Sequence, residues 1–180
     1  VGNEGPGTSR SPGNYDNVLS VGATTEAGRV WQYSGSQRFA RPTRPNVPYV
    51  VAPGDGVISA VPGNAWKALS GTSMATPHIA GLAALLWQAK PDATALQIEQ
   101  AILESAKLGT MTAERAGAGL PDAAVAYETL MGHAPVAVAA PVRPRTSGAK
   151  KKAAKRKAPR RAASKRSPAK KSAKKAAKKK

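Results

Sequence analysis

Gly71-Thr72-Ser73-Met74-Ala75-Thr76-Pro77-His78-Ile79-Ala80-Gly81 places a serine on a glycine-flanked turn that leads directly into an apolar helix. A serine there keeps its hydroxyl outside the intrahelical bonding pattern, and the unpaired backbone N–H groups beside it can face an oxyanion. Serine and threonine also serve at such positions as ordinary helix caps. From Thr72 to Gln88 the pattern is apolar on nearly every side, with Met74, Ile79, Leu82, Leu85, Leu86 and Trp87. That predicts a helix buried in the centre of a domain. Pro77 falls near the first turn, where few backbone donors have intrahelical partners, so the helix survives it. Lys90-Pro91-Asp92 ends it.

Downstream, a second helix is predicted to start at Thr94, with Gln97 in the capping-box position. Ile98, Ala101 and Ile102 recur at helical spacing, and Lys107 followed by Gly109 provides the stop, so this helix covers a core with one face. Upstream, Val18 to Ala23, Val47 to Ala52 and Val57 to Val61 are short apolar runs bounded by glycine, proline and asparagine, and each predicts a strand. Residues 34–46 hold two prolines and three arginines without periodicity and read as a surface loop. Strands alternating with helices imply an α/β layered architecture with a mainly parallel sheet.

Charge divides the chain. Residues 1–142 carry nine Lys or Arg against ten Asp or Glu, a net of −1, whereas residues 143–180 carry nineteen basic residues and no acidic one, which accounts for the +18 of the whole. The basic character therefore belongs to a tail and not to the domain. At 180 residues the chain has room for one domain with a sizeable core. It has no cysteine, which excludes disulfides, a thiolate metal site and a thiol nucleophile. The longest apolar stretch, Ile79 to Trp87, falls far short of the ~20 residues needed to span a bilayer. No signal peptide is visible, but the chain opens at Val1 in what reads as a strand-to-loop junction. The expectation is an incomplete chain that lacks its natural N-terminus.

The whole run from Gly71 to Gly81 resembles the nucleophile segment of the subtilisin-like serine peptidases, and other segments match in that family's order. Val1-Gly2-Asn3-Glu4-Gly5 is similar to the segment that supplies the oxyanion-hole asparagine. Leu19-Ser20-Val21-Gly22-Ala23 and Val51-Ala52-Pro53-Gly54 are similar to the strands that follow. Gly117-Ala118-Gly119-Leu120-Pro121-Asp122 resembles the terminal hairpin and the start of the last helix. The resemblance implies a subtilisin-like three-layer α/β fold with its N-terminal portion missing. It divides the chain into the C-terminal part of a peptidase domain at 1–132, an Ala/Pro linker at 133–149 and a Lys/Ala-rich tail at 150–180.

Acyl transfer by serine needs a general base, an acid group that orients it, and donors for the tetrahedral oxyanion. The resemblance makes Ser73 the nucleophile and places Asn3 in the oxyanion hole beside the Ser73 backbone N–H. No histidine precedes Ser73. In the family the order is Asp, His, Ser, so the catalytic Asp and His are expected upstream of this chain, and the 180 residues alone are expected to be inactive. His78 lies five residues past Ser73 in the same helix, about 140° around the axis, and reads as a structural helix residue. His133 has no motif around it, and Asp16, Asp55 and the other carboxylates match no triad segment.

By resemblance the function is a serine endopeptidase acting on proteins or peptides as a monomer, secreted or at the cell surface. The chemistry takes no cofactor, and the resemblance leaves room for structural calcium in a full-length protein. Cleavage preference is not legible. Residues 150–180 contain only Lys, Arg, Ala, Ser and Pro, and like-charge repulsion predicts disorder when free. Ser167-Pro168-Ala169-Lys170-Lys171 resembles the Ser-Pro-basic repeats of linker-histone tails. Such a tail can bind nucleic acid or acidic cell-surface polymers by releasing counterions, or serve only as a solvated charge. That leaves a second function class, a non-catalytic polyanion-binding protein acting through the tail.

Overall fold

The computed structural model describes residues 1–132. In chain order they form β1 (Val21–Thr24), β2 (Gln37–Arg38), β3 (Asn46–Val47), β4 (Val50–Pro53), β5 (Val57–Val61), β6 (Ala65–Leu69), α1 (Thr72–Ala89), α2 (Ala95–Glu104), α3 (Ala113–Ala116) and α4 (Ala123–Met131). The expectations for 133–149, for 150–180 and for His133 lie outside the described residues.

β1 and β4 pair in parallel, Val21 opposite Val50 through Thr24 opposite Pro53. Near-continuous apolar strands suit a pair buried on both faces, and all of β1 with the first three residues of β4 is buried. α1 packs on both strands, and α2 and α4 pack on α1 and on each other. One core cluster runs through these layers, from Val21, Val50 and Ala52 through Ala75, Ile79 and Leu86 to Ile98, Ile102 and Leu130. The predicted α/β fold is present, and the three predicted strands and two predicted helices all form.

Three local outcomes differ from the sequence reading. The stretch 34–46 is not wholly loop: β2 and β3 pair in an antiparallel ribbon. Arg44 reaches Glu99 in α2 at 2.6 Å and stacks over the Tyr49 ring, which fastens the intervening chain to the core. Second, α1 is not buried all round. Only Thr72, Ala75, Ile79 and Leu86 are buried along it, while Leu85 is 64% exposed. Apolar composition gives a helix the capacity for burial on any face, but the layers described here cover only one. Third, β5 pairs with β6, a strand the pattern did not announce, in an antiparallel hairpin that carries Ile58 and Trp66 at 69% and 74% exposure.

This hairpin leaves and rejoins the body at one point. Gly71 N–H donates to the Gly54 carbonyl at 2.7 Å, so the residue after β4 and the residue before α1 are clasped together. A Cβ on Gly54 would stand 2.6 Å from Ala23 Cβ and 2.8 Å from the Gly71 carbonyl, and only glycine allows that approach. The clasp aims the start of α1 at the C-terminal end of the parallel pair.

Candidate functional site

The start of α1 is built differently from an ordinary capped helix. Its cap residue is Gly71, at φ 155°, and no side chain caps it. The Thr72 hydroxyl is turned away from the helix toward Gly2 and Asn3. Ser73 occupies the second helical position, so its backbone N–H has no intrahelical acceptor. Its hydroxyl is exposed and makes no hydrogen bond among the described residues. The bland role open to a serine here, capping, is therefore not the one it has.

Asn3, distant in sequence, is locked onto this turn. Its Oδ1 accepts from the Thr72 backbone N–H at 2.9 Å and from the Thr72 hydroxyl at 3.1 Å. With the oxygen so engaged, the Nδ2 amide is the group left over, and it donates to nothing among the described residues. The loop carrying Asn3 is itself fastened: Gly2 N–H donates to Thr72 Oγ1 at 3.3 Å, Gly35 N–H to the Gly2 carbonyl at 2.9 Å, and Gly5 N–H to the Tyr33 carbonyl at 2.9 Å.

Asn3 and Ser73 line one cavity of ≈ 440 Å³, whose lining also includes Gly2, Gly13, Val18, Leu19 and Val21. Ser73 also lines a second groove of ≈ 320 Å³, between β5 and the first turns of α1, with Val57, Ile58, Met74, Pro77 and His78. The serine thus stands on the ridge between two recesses. A peptide lying across it could place the residues flanking one bond on either side.

His78 shares the second groove, but its Nδ1 is 2.9 Å from the Met74 carbonyl. A carbonyl only accepts, so Nδ1 carries the proton, and the ring is tied back along its own helix. It makes no bond to Ser73. Ser70, just before the turn, donates to Asp55 Oδ1 at 2.7 Å and accepts from Gly56 N–H at 3.0 Å, which ties Asp55 to the base of the hairpin. No group of three or more His, Cys, Asp or Glu side chains comes together among the described residues. No described helix is long and apolar enough to cross a membrane.

The structure brings together the two residues singled out from the sequence, Ser73 and Asn3. Sequence reasoning missed two others. Thr72 reads as a cap but holds Asn3 instead. Arg10 forms an ion pair with Glu4 on the wall of the first cavity, at 2.8 Å. This pair holds the exposed Glu4 carboxyl below its ordinary range, chiefly through the hydrogen bond from Arg10. A six-residue separation within an irregular loop carries no periodic signal that could have revealed it.

Known proteins share this arrangement of segments. The model of the Subtilase family matches residues 1–122. The alkaline elastase YaB of Bacillus sp. (strain YaB) is 40% identical over 126 residues, covering 69% of this chain and 31% of that protein. An intracellular serine protease of Paenibacillus polymyxa is 42% identical over 93 residues, 49% of this chain and 26% of that protein. Among solved structures, the self-cleaved protease domain of PatA superposes with a TM-score of 0.61 at 31% identity, over 73% of this chain and 48% of that one. The chain therefore spans less than half the length of each of these relatives.

Proposed function

The chain belongs to the subtilase family, and from that premise we propose that the protein is a serine endopeptidase acting through an acyl-enzyme on Ser73. The observation that carries this reading is the unbonded Ser73 hydroxyl beside the free Nδ2 amide of Asn3 in one cavity. In the proposed reaction Ser73 Oγ attacks the scissile carbonyl and gives its proton to a general base. The oxyanion accepts hydrogen bonds from Asn3 Nδ2 and the Ser73 backbone N–H. The base then protonates the leaving amine, and water hydrolyses the ester by the same route in reverse. A His as base and an Asp that orients it come, in this reading, from polypeptide outside these 180 residues. The reaction calls for no cofactor, and its substrates are proteins or peptides.

The test is to treat the native protein with a fluorophosphonate and map the adduct by mass spectrometry. The expected label is on Ser73 and is absent from a Ser73→Ala variant. Labelling elsewhere, or none in a protein that carries the complete set of catalytic segments, removes the proposal. Reading the codons upstream of Val1 is the companion measurement. An Asp-Ser/Thr-Gly segment followed by His-Gly-Thr-His is expected in the same frame.

A second reading rests on the nineteen basic residues of 143–180, which oppose no acidic one. In that reading the tail binds nucleic acid or another polyanion, with the peptidase-like part as scaffold. Secretion or surface display is the location proposed from the family. The relatives' names do not decide it, since one of them is an intracellular protease.

A further inference from the structure

The dipeptide Asp55-Gly56 lies between two fixed points at the base of the hairpin. On one side Gly71 N–H donates to the Gly54 carbonyl at 2.7 Å, and on the other Val57 pairs with Leu69 at the start of the ladder. Neither Asp55 nor Gly56 belongs to a strand. Ser70 is held opposite them by the same two constraints and bonds to both through one atom. Its Oγ accepts from Gly56 N–H at 3.0 Å, and its hydroxyl donates to Asp55 Oδ1 at 2.7 Å. Gly56 is at φ +67°, and a Cβ built on it would meet nothing within 4 Å, so the space around its nitrogen is open. Asp55, Gly56 and Ser70 are all exposed to water. This is the single Asp-Gly pair of the chain, which has no Asn-Gly pair. Closing a hairpin base takes one hydrogen bond. Here a single hydroxyl takes the proton of a backbone nitrogen and offers its own to the neighbouring carboxyl, the two transfers that joining that nitrogen to that carboxyl requires.

We propose that Asp55-Gly56 is a site of backbone rearrangement to isoaspartate, with Ser70 as the proton relay. From the protonated carboxyl, the Gly56 nitrogen bonds to Asp55 Cγ while its proton passes to Ser70 Oγ and the Ser70 hydroxyl proton passes to Oδ1. The ring then expels one former carboxyl oxygen as water, which carries the carboxyl proton and the relayed one, and a five-membered succinimide remains. Water adds back to either ring carbonyl. Attack at Cγ breaks its bond to nitrogen and restores aspartate. Attack at the Asp55 main-chain carbonyl breaks that bond instead and leaves the backbone running through the former side chain. One water leaves and one returns, so no other reactant is consumed. The product is longer by one methylene between Gly54 and Val57, and both fixed points must shift to hold it. Val57 and Ile58 line the groove beside Ser73, so the rearrangement reaches the wall of that groove. No step in it draws on Ser73 as a nucleophile.

The experiment follows the native protein carrying Ser73→Ala, which excludes self-digestion, through a long incubation in warm neutral buffer. Isoaspartate is counted by methyl transfer with an isoaspartyl methyltransferase and placed by mass-spectrometric peptide mapping. It is expected at Asp55 and to accumulate about fivefold faster in the folded protein than in the same protein held unfolded in urea, a modest effect for a positioned proton-transfer group that replaces a water. Ser70→Ala should lower the folded rate to the unfolded one, and Ser70→Thr, which keeps a hydroxyl, should restore it. Asp55→Glu, whose ring would need an extra member, should lose the signal at this position. Urea unfolding curves establish that each variant enters the incubation folded, and the folded-against-unfolded comparison needs no variant at position 70. A slower rate in the folded protein overturns the proposal, because the frame then protects the pair. So does a rate that Ser70→Ala leaves unchanged or raises, or isoaspartate confined to other positions.

Discussion

Thr72 shows how one residue can be read correctly as a type and wrongly as a role. In the sequence it stands beside Ser73 at a helix start, where a hydroxyl ordinarily caps. In the structure its N–H and its hydroxyl both go to Asn3 Oδ1, its hydroxyl also accepts from Gly2 N–H, and its carbonyl accepts from the Thr76 hydroxyl at 2.9 Å. Thr72 is only 4% exposed, so these bonds are shielded from water. Thr72→Val keeps shape and volume but strands Gly2 N–H and removes one of the two donors that orient Asn3. Urea unfolding should show a loss of about 1–2 kcal/mol, the cost of a deleted buried hydrogen bond with its partner left behind. Ser73 and Asn3 were legible because their surroundings match long stretches of a known pattern. Their mutual geometry was not, because it is carried by Thr72, 69 positions along the chain from Asn3.

At the scale of elements, the helix starts were the most legible part, whereas α2 stops at Glu104, short of the stop expected at Lys107 and Gly109. Thr94 and Gln97 form the reciprocal capping box predicted for α2, with Gln97 N–H to Thr94 Oγ1 at 3.3 Å and Thr94 N–H to Gln97 Oε1 at 2.8 Å. Asp122 caps α4 through Oδ1, which accepts from Ala124 N–H at 3.1 Å and Val125 N–H at 3.3 Å, while Lys107 pairs with its other oxygen at 3.2 Å. The Val125 bond chiefly, with help from Lys107, holds the Asp122 carboxyl below its ordinary range. A carboxyl depressed in the folded state stabilises fully above its unfolded pKa, and the contribution disappears as pH falls through the folded value. Asp122→Ala should therefore cost about 1 kcal/mol at pH 7. Thermal unfolding of the two proteins should converge as pH is lowered below about 4. Strand partners were less legible than caps. β5 was predicted and β6 was not, because Ala65 to Leu69 lacks both an apolar run and an alternation strong enough to mark a strand, and forms one only against β5. The exposed flank of α1 has the same origin: an apolar pattern says what a helix can bury, and only neighbouring elements say what it does bury.

For the molecule as a whole, the dominant sequence fact is the separation of charge, near neutral over residues 1–142 and wholly basic over 143–180. If the tail is the polyanion-binding part, replacing Lys174, Lys175, Lys178, Lys179 and Lys180 by Gln in the full chain should shift elution from immobilised duplex DNA to lower salt. The slope of log affinity against log salt should become shallower by about 0.9 for each phosphate that is no longer neutralised. Retention that survives deletion of residues 143–180 would assign it to the domain instead. By itself the sequence determined the family, the α/β class, the starts of α1 and α2 and the choice of Ser73 and Asn3 as candidate residues. Each of these is written in local spacing, local hydrogen-bonding preference or an unbroken run of matching residues. Only the tertiary structure decided that Asn3 engages Thr72 through its Oδ1, which leaves its Nδ2 amide without a partner among the described residues, and that Glu4 and Arg10 pair on the wall of the cavity Asn3 shares with Ser73. It alone left one flank of α1 and the β5–β6 hairpin uncovered. Those outcomes depend on which distant groups compete for the same donor, charge or apolar surface, and a linear pattern does not contain that competition.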